Sequence, residues 1–229
     1  MLFWDWTLII ILPAIIFGLI AQSGIQRTYA KYSQVYSRSG WTAAQVARDL
    51  LDRNGLYDVQ VQRTDRPGLS DHYDPRANAL RLSQGVYSSS SVAAIGIAAH
   101  EVGHAIQKSR SYIPLTIRNS ILPVVQISSF AAWPLLFIGL ILASYDLALL
   151  GVALFGATVL FQLVTLPVEF NASSRALASI NDIGYLEPDE TQGAKKVLDA
   201  AAMTYVAAAL MSVMQLLRFL TIAQGSRRR

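Results

Sequence analysis

Five consecutive residues, His100-Glu101-Val102-Gly103-His104, combine two metal-binding side chains with a carboxylate. On an α-helix, positions i and i+4 lie on the same face, one turn apart. Two imidazoles at that spacing can hold one Zn²⁺, and the intervening Glu101 lies beside the water that it would deprotonate. Zinc-activated water is a competent nucleophile for a peptide carbonyl. The pattern therefore predicts His100 and His104 as zinc ligands and Glu101 as general base, and it disfavours a helix with two ordinary surface histidines.

The pattern is one ligand short, because catalytic zinc usually has three protein ligands and a water. The chain has 0 cysteines, so the third ligand must be a histidine or a carboxylate. The candidates are His72, the remaining carboxylates and above all Glu169, which directly follows an apolar segment. Position alone leaves Glu169 equally open to being a solvated carboxylate in the first turn of a helix. An acidic first turn is the better interpretation for three further carboxylates, Glu187, Asp189 and Glu190.

The elements that position these residues must be compatible with a membrane. The chain is 53% hydrophobic and only 15% charged, well below the charged fraction of a typical soluble domain. Clear apolar segments cover residues 8–21, 121–144 and 147–168, and 200–223 is a further candidate. Each has, or reaches with its flanks, the length needed to span a bilayer. A short polar turn at residues 145–146 joins the second and third segments into a helical hairpin, which returns Glu169 to the side of the motif.

Two of these segments allow a second interpretation. The first could be a cleaved signal peptide, but it carries Asp5 in place of a positive N-terminal region, which favours an uncleaved anchor. The last contains Arg218 near its end, where an arginine can extend to the interface. We expect it to span, although a helix lying in the interface is the alternative.

Charge distribution predicts the orientation of the chain. Most Lys and Arg residues lie between Arg27 and Arg118, and positive loops mark the cytoplasmic side. The motif is therefore expected on the cytoplasmic side, with the N-terminus outside. The basic tail at residues 226–229 would then lie outside, which contradicts the same rule.

The polar region between the first two spans has the order of a small α/β layer. Residues 42–53 have helical spacing, 58–62 and 79–82 alternate like strands, and 92–108 form the motif helix. Residues 80–83 are the candidate for an edge strand that binds an extended peptide, and an ordinary buried strand is the alternative. The predicted fold is a mainly α, multi-span membrane protein with a small zincin-like α/β metalloprotease region.

The predicted organisation has five parts. They are a transmembrane anchor (1–22), a zincin-like region (23–120), a transmembrane hairpin (121–168), a third-ligand helix with an acidic segment (169–199), and a fourth transmembrane helix with a basic tail (200–229).

Several blocks together resemble the YugP-like family of bacterial membrane zinc metallopeptidases. These blocks are Ala98-Ala-His-Glu-Val-Gly-His-Ala-Ile-Gln107, Asp71-His-Tyr-Asp-Pro75, Leu80-Arg-Leu-Ser83 and Leu166-Pro-Val-Glu-Phe-Asn-Ala-Ser173. The five-residue motif alone is shared by many zincins, whereas the flanking blocks are more selective. The resemblance extends over nearly the whole chain.

The resemblance implies His100 and His104 as zinc ligands, Glu101 as general base and Glu169 as third ligand, in a glutamate-zincin arrangement. A related pattern in HtpX-type membrane proteases is Glu-x-x-Ala-Asp, whereas here Ala172 is followed by Ser173. The carboxylate that often orients a zinc-bound histidine is thus missing at that position. Substitutes could be Ser173, Asn171 or Asp182.

The implied activity is hydrolysis of polypeptides, soluble or membrane-embedded, by a protein resident in the lipid bilayer. The oxyanion donor is unassigned, with His72, Tyr185 and Arg175 as candidates, although an ordinary loop histidine is the favoured interpretation of His72. A catalytically idle zinc-binding scaffold is the main alternative, and an intact Glu101 argues against it. A transporter would need ionisable groups inside the spans, which are nearly free of them. No basic stripe interleaved with aromatics indicates nucleic-acid binding.

Overall fold

The protein is a mainly α-helical membrane protein with a small three-stranded sheet. The computed structural model describes residues 6–65 and 70–227, so Trp4, Asp5 and the end of the basic tail lie outside the described residues. The elements in chain order are α1 (Leu8–Tyr32), α2 (Ala43–Arg53), β1 (Gln60–Thr64), β2 (His72–Asp74), β3 (Ala79–Ser83), α3 (Gln84–Tyr87), α4 (Val92–Ser109), α5 (Ile113–Ile141), α6 (Tyr145–Ile183) and α7 (Pro188–Arg227).

Among the described residues, 4 helices are long and apolar enough to cross a membrane: α1, α5, α6 and α7. The last segment is therefore a helix of spanning length. Its arginine is accommodated by a polar contact, because Arg218 Nε donates a hydrogen bond to Thr7 Oγ1 at 3.1 Å. Thr7 precedes α1, so the guanidinium lies level with the beginning of that helix. This position agrees with an arginine that extends toward an interface.

Helix α6 continues well beyond its apolar segment, which corrects one expectation about Glu169. The helix runs without a break through Pro167 to Ile183, so Glu169 lies inside it and does not begin a new helix. Beyond Glu169, buried residues recur every four positions, at Ala172, Ala176 and Ile180. Tertiary packing of this face keeps the segment helical, although the proline removes one backbone donor.

The chain divides into two compact units. The apolar unit comprises residues 1–22, 116–167 and 204–229, and the polar unit comprises 23–115 and 168–203. Within the apolar unit, α5 and α6 approach closely at glycines. A Cβ on Gly139 would lie 2.4 Å from Ala148 N, and one on Gly151 would lie 2.6 Å from Leu136 N. Such small residues allow the helix backbones of a membrane hairpin to touch.

The sheet of the polar unit has the strand order β1-β3-β2. Strand β3 pairs in parallel with β1 and antiparallel with β2. The expectation that residues 80–83 form an edge strand is therefore wrong, because β3 is the central strand and is buried along most of its length. Strand β2, which alternation does not reveal in so short a segment, is instead an edge strand and contacts α4.

Local signals correctly predict the two helices that pack on this sheet. Thr42 closes a capping box with Gln45 at the start of α2, and Ser91 caps α4 by accepting a hydrogen bond from Ala94 N. The small residues of α4 permit close packing. A Cβ on Gly96 would lie 3.2 Å from Ala194 Cβ of α7.

Candidate metal centre

Helix α4 presents two imidazoles from one face toward α6. His100 and His104 are one turn apart, and their ring centroids are 4.7 Å from each other in an edge-to-face arrangement. Both side chains are largely buried, each with a relative exposure of 13%. The helix therefore directs both Nε2 atoms into the same shielded space.

Glu169 of α6 meets both histidines in that space. Its Oε2 lies 3.3 Å from His100 Nε2 and 3.5 Å from His104 Nε2, and the residue is 3% exposed. The close approach of the two helices depends on Gly103, which lies between the histidines. A Cβ at this position would come within 2.7 Å of the Ala172 carbonyl oxygen.

The donor set and its spacing suit zinc. Among the described residues, His100, His104 and Glu169 form the group of histidines and carboxylates that could hold a metal ion, with ligand atoms within 4.8 Å of one another. Four ligands placed tetrahedrally about 2.1 Å from one zinc ion lie about 3.4 Å apart. The observed 3.3 and 3.5 Å between Glu169 Oε2 and the imidazole nitrogens match this spacing. Two imidazoles and a carboxylate are also a recurrent catalytic zinc set.

The outer ring nitrogens of both histidines are hydrogen-bonded. His100 Nδ1 lies 3.0 Å from Ser173 Oγ, and His104 Nδ1 lies 3.0 Å from Gln107 Oε1. Contacts of this kind fix the orientation of a metal-binding imidazole and leave Nε2 available for the metal. Ser173 is one of the residues proposed to replace the missing carboxylate, and it is the residue that contacts His100.

Gln107 connects His104 with α6, and no sequence pattern predicts this role. It is 0% exposed, and its Nε2 donates to Val168 O at 2.8 Å and to Asn171 Oδ1 at 3.1 Å. Arg175 Nε donates to the same Asn171 oxygen at 2.7 Å. A hydrogen-bonded chain therefore runs from His104 across α4 to α6. The only feature of the sequence that points to this role is the position of Gln107, three residues after His104.

Glu101 lies beside this centre and is held by strand β2. The residue is 8% exposed, and its Oε2 accepts a hydrogen bond from Tyr73 N at 3.0 Å. Burial raises the pKa of the Glu101 carboxyl, although the neighbouring histidines oppose the shift. A carboxyl with a raised pKa is well suited to exchange protons near neutral pH.

The electrostatic surroundings of His104 act in opposite directions. Burial disfavours its charged form, but the contact with Glu169 and the charge of Glu101 outweigh this effect and raise the pKa of the imidazole. The centre therefore favours a positive charge at its middle, as expected for a cation site lined by two carboxylates.

Two of the suggested residues are not brought to the centre. The Tyr185 hydroxyl donates to Asp49, and its ring packs on Trp41 with centroids 5.6 Å apart. Asp182 is exposed near the end of α6, so it does not orient either histidine. It lies 13 residues after Glu169, about 20 Å along the helix.

His72 lies near the centre but outside the metal-binding group. It belongs to strand β2 and not to a loop, and its Nδ1 is hydrogen-bonded with Ser70 O at 2.7 Å. Its neighbour Tyr73 contacts Glu101 through the backbone. The structure thus brings the backbone of the following residue to Glu101, and His72 is not part of the group that could hold the metal.

Comparison with known proteins identifies the family of the chain. The model of the protein family described as "Putative neutral zinc metallopeptidase" matches residues 7–224. The chain is 51% identical over 208 residues to "Putative membrane protease YugP" of Bacillus subtilis (strain 168), covering 90% of this chain and 92% of that protein. No solved structure matches the chain. The family resemblance predicted from the sequence blocks is confirmed.

Proposed function

Because the chain belongs to the protein family described as "Putative neutral zinc metallopeptidase", we propose that it is a membrane-bound zinc metalloendopeptidase that hydrolyses peptide bonds of proteins. The observation that carries the proposal is the convergence of His100 Nε2, His104 Nε2 and Glu169 Oε2 at distances suited to one zinc ion. Glu101 lies beside these residues, where the proposed reaction needs a group that accepts a proton from water.

The ligand roles follow from the donor atoms. His100, His104 and Glu169 would hold Zn²⁺, and the remaining coordination position would be open to water or substrate. Ser173 and Gln107 would orient the two imidazoles, and Asn171 with Arg175 would hold Gln107 in place. This arrangement lacks the carboxylate that commonly accepts a hydrogen bond from a zinc-bound histidine and uses neutral groups instead.

The chemistry of the proposed reaction is a hydrolysis. Zinc, when bound, acidifies water toward neutrality and polarises a carbonyl. Glu101 would accept a proton from the attacking water and donate it to the amide nitrogen as the carbon–nitrogen bond breaks. The Tyr73 backbone N–H would keep the carboxylate directed toward the centre during both transfers.

The donor that stabilises the developing oxyanion is still to be assigned. With Tyr185 bound to Asp49, the candidates from the sequence are His72 and Arg175. His72 adjoins Tyr73 on β2, and its Nδ1 is hydrogen-bonded with Ser70 O. Arg175 is already engaged with Asn171 through Nε.

The cellular setting follows from the spans and the charges. Four helices of spanning length support an integral membrane protein, and the basic stretch from Arg27 to Arg118 supports a cytoplasmic location for the centre. The bacterial relative supports the plasma membrane as the compartment. The substrates would be polypeptides, either soluble or embedded in the same membrane.

Purified wild type and Glu101→Gln should be compared in detergent for zinc content and for cleavage of casein. We expect both proteins to bind zinc, the wild type to cleave and lose activity to a chelator, and Glu101→Gln to lose at least about 100-fold in rate. Glu187→Gln is the matched control, because it neutralises an exposed carboxylate outside the centre and should leave the rate unchanged.

Two outcomes would contradict the proposal. Cleavage by Glu101→Gln at the wild-type rate would exclude the mechanism. A wild type that binds zinc but cleaves neither casein nor membrane proteins would support the idle scaffold instead.

A further inference from the structure

A second concave site lies in the polar unit, on α1 and α7, away from the metal centre. It is a surface pocket of about 410 Å³ lined by Arg27, Thr28, Lys31, Tyr32, Lys196 and Asp199. Three of its six lining residues are cations. None of the residues proposed to hold or orient zinc lines it.

The positive charge of this pocket is not balanced by the protein. Within residues 6–65 and 70–227, Arg27, Lys31 and Lys196 form no salt bridge. The single lining carboxylate, Asp199, is bound 2.5 Å away by Lys195, which does not line the pocket. Arg27 and Lys31 are also four residues apart on one helix, a spacing at which like charges repel. An anion in the pocket would relieve this repulsion.

Close packing of the two helices fixes the cations opposite each other. Tyr32 of α1 packs against Gly193 of α7, where a Cβ would come within 2.8 Å of the tyrosine ring. Lys31 Nζ lies 5.3 Å from the centroid of the same ring. Because Lys196 follows Gly193 by three residues, this contact sets it beside the α1 cations.

The pocket lies at the level where both helices would leave the bilayer. On α1, Arg27 lies six residues, or about 9 Å of helix, beyond the apolar segment 8–21. On α7, Lys196 precedes the apolar stretch 200–223 by one turn. The cations therefore converge at one membrane surface, where lipid headgroups are present at high local concentration.

We propose that this pocket binds the phosphate group of an anionic membrane lipid. Arg27, Lys31 and Lys196 would contact the phosphate oxygens, and Tyr32 would form the apolar wall. The bound lipid would hold α1 against α7 at the membrane surface. The inference does not depend on the peptidase proposal, since the pocket shares no residue with the metal centre.

The test uses the full-length protein in nanodiscs that contain phosphatidylcholine with or without phosphatidylglycerol. Lipid retained by the protein after transfer to detergent is measured by native mass spectrometry. The pocket variant is Arg27→Gln with Lys196→Gln. The matched control is Arg76→Gln with Arg110→Gln, which removes the same charge from exposed positions outside the pocket. The thermal unfolding midpoint verifies that each protein is folded.

We expect the wild type and the control to retain phosphatidylglycerol in preference to phosphatidylcholine, and the pocket variant to lose roughly tenfold or more of that preference. Equal loss in pocket variant and control would show general surface attraction and overturn the proposal, as would an unchanged pocket variant. Inorganic phosphate, added at the same concentration as the lipid phosphate, should not displace the lipid. Complete displacement would identify the ligand as a soluble anion and overturn the lipid assignment.

Discussion

The two histidines of the candidate centre are held by chemically different groups. A hydroxyl, Ser173 Oγ, contacts His100, whereas an amide, Gln107 Oε1, contacts His104. An amide oxygen can only accept, so it requires that His104 carry its proton on Nδ1 and leave Nε2 free for a metal. A hydroxyl can donate or accept and imposes no such choice. The tautomer is therefore fixed more strictly at His104.

Replacing Gln107 by leucine should weaken zinc binding by about 10- to 100-fold, because His104 loses its partner and α4 loses its amide contact with Val168 and Asn171. Competition with a chromophoric chelator measures this affinity. Gln107→Glu restores an acceptor for His104 and should recover part of the loss. Wild-type zinc affinity in Gln107→Leu would contradict the role assigned to this residue.

Replacing Tyr185 by phenylalanine should lower stability by about 1 kcal/mol but leave the rate of hydrolysis unchanged, because the hydroxyl contacts Asp49 and not the metal centre. Denaturant unfolding and a cleavage assay separate the two effects. A large loss of rate at constant stability would restore Tyr185 as an oxyanion donor.

The same pair gives a pH dependence with a defined sign. The Tyr185 hydrogen bond holds the pKa of Asp49 below its ordinary 3.8. A carboxyl with a lowered folded-state pKa stabilises the fold above its unfolded pKa and loses that contribution as the pH falls through the folded value. The stability gap between wild type and Tyr185→Phe should therefore be constant above about pH 5 and narrow below about pH 4. A gap that widens on acidification would contradict the assignment.

Helix α6 is the element that completes the centre, and it does so through its contact with α4. The contact occurs at Gly103, opposite Ala172, one turn from Glu169. Glu169 can reach the histidines because the two backbones are so close. The continuity of α6 through Pro167 matters for the same reason, since a break there would leave Glu169 without a fixed direction.

Replacing Gly103 by alanine should separate α4 from α6, because the added Cβ would lie 2.7 Å from a backbone oxygen that cannot rotate away. We expect a loss of about 1–3 kcal/mol in stability and a larger loss of zinc affinity. Gly156→Ala is the matched control, since a Cβ on this α6 glycine would meet no atom within 4 Å. Full zinc binding by Gly103→Ala would show that the helices need not touch.

On the scale of the whole molecule, the number of crossings decides which segments share a side. If α1, α5, α6 and α7 each cross the membrane, residues 23–115 and 168–203 would face one side, and the α5–α6 turn and the end of α7 would face the other. Most Lys and Arg residues lie between Arg27 and Arg118, which favours the cytoplasm for the first group, whereas the basic tail would then lie outside. The tail has far fewer basic residues than the stretch from Arg27 to Arg118. We therefore expect the longer stretch to determine the orientation of the chain.

Single cysteines can test this topology, because the chain has 0 of its own. In intact cells, a membrane-impermeant maleimide should label Asp146→Cys and Gln224→Cys but not Arg76→Cys, and lysis should expose all three. These positions are exposed, so access to the reagent depends on the membrane alone. Labelling of Arg76→Cys in intact cells would invert the orientation. Labelling of Asp146→Cys without Gln224→Cys would remove the last crossing.

The sequence alone determines the chemistry of the centre and the class of the fold. Residue types and helical spacing identify His100, Glu101 and His104, and long apolar runs predict the spans, because both depend on neighbours within a few positions. Matching blocks along the chain add Glu169. These patterns are local or repeated along the chain, so they can be recognised without knowledge of the tertiary packing.

Only the tertiary structure decides which distant groups meet. Gln107 and Val168 are 61 positions apart, and His100 and Ser173 are 73 apart, so no periodicity links them. The central position of β3 likewise depends on which strands pair with it. The contact of Tyr185 with Asp49 depends on how distant segments of the chain pack together. Residue types define which ligands are available, but the distances between their donor atoms are set by how closely α4 and α6 pack.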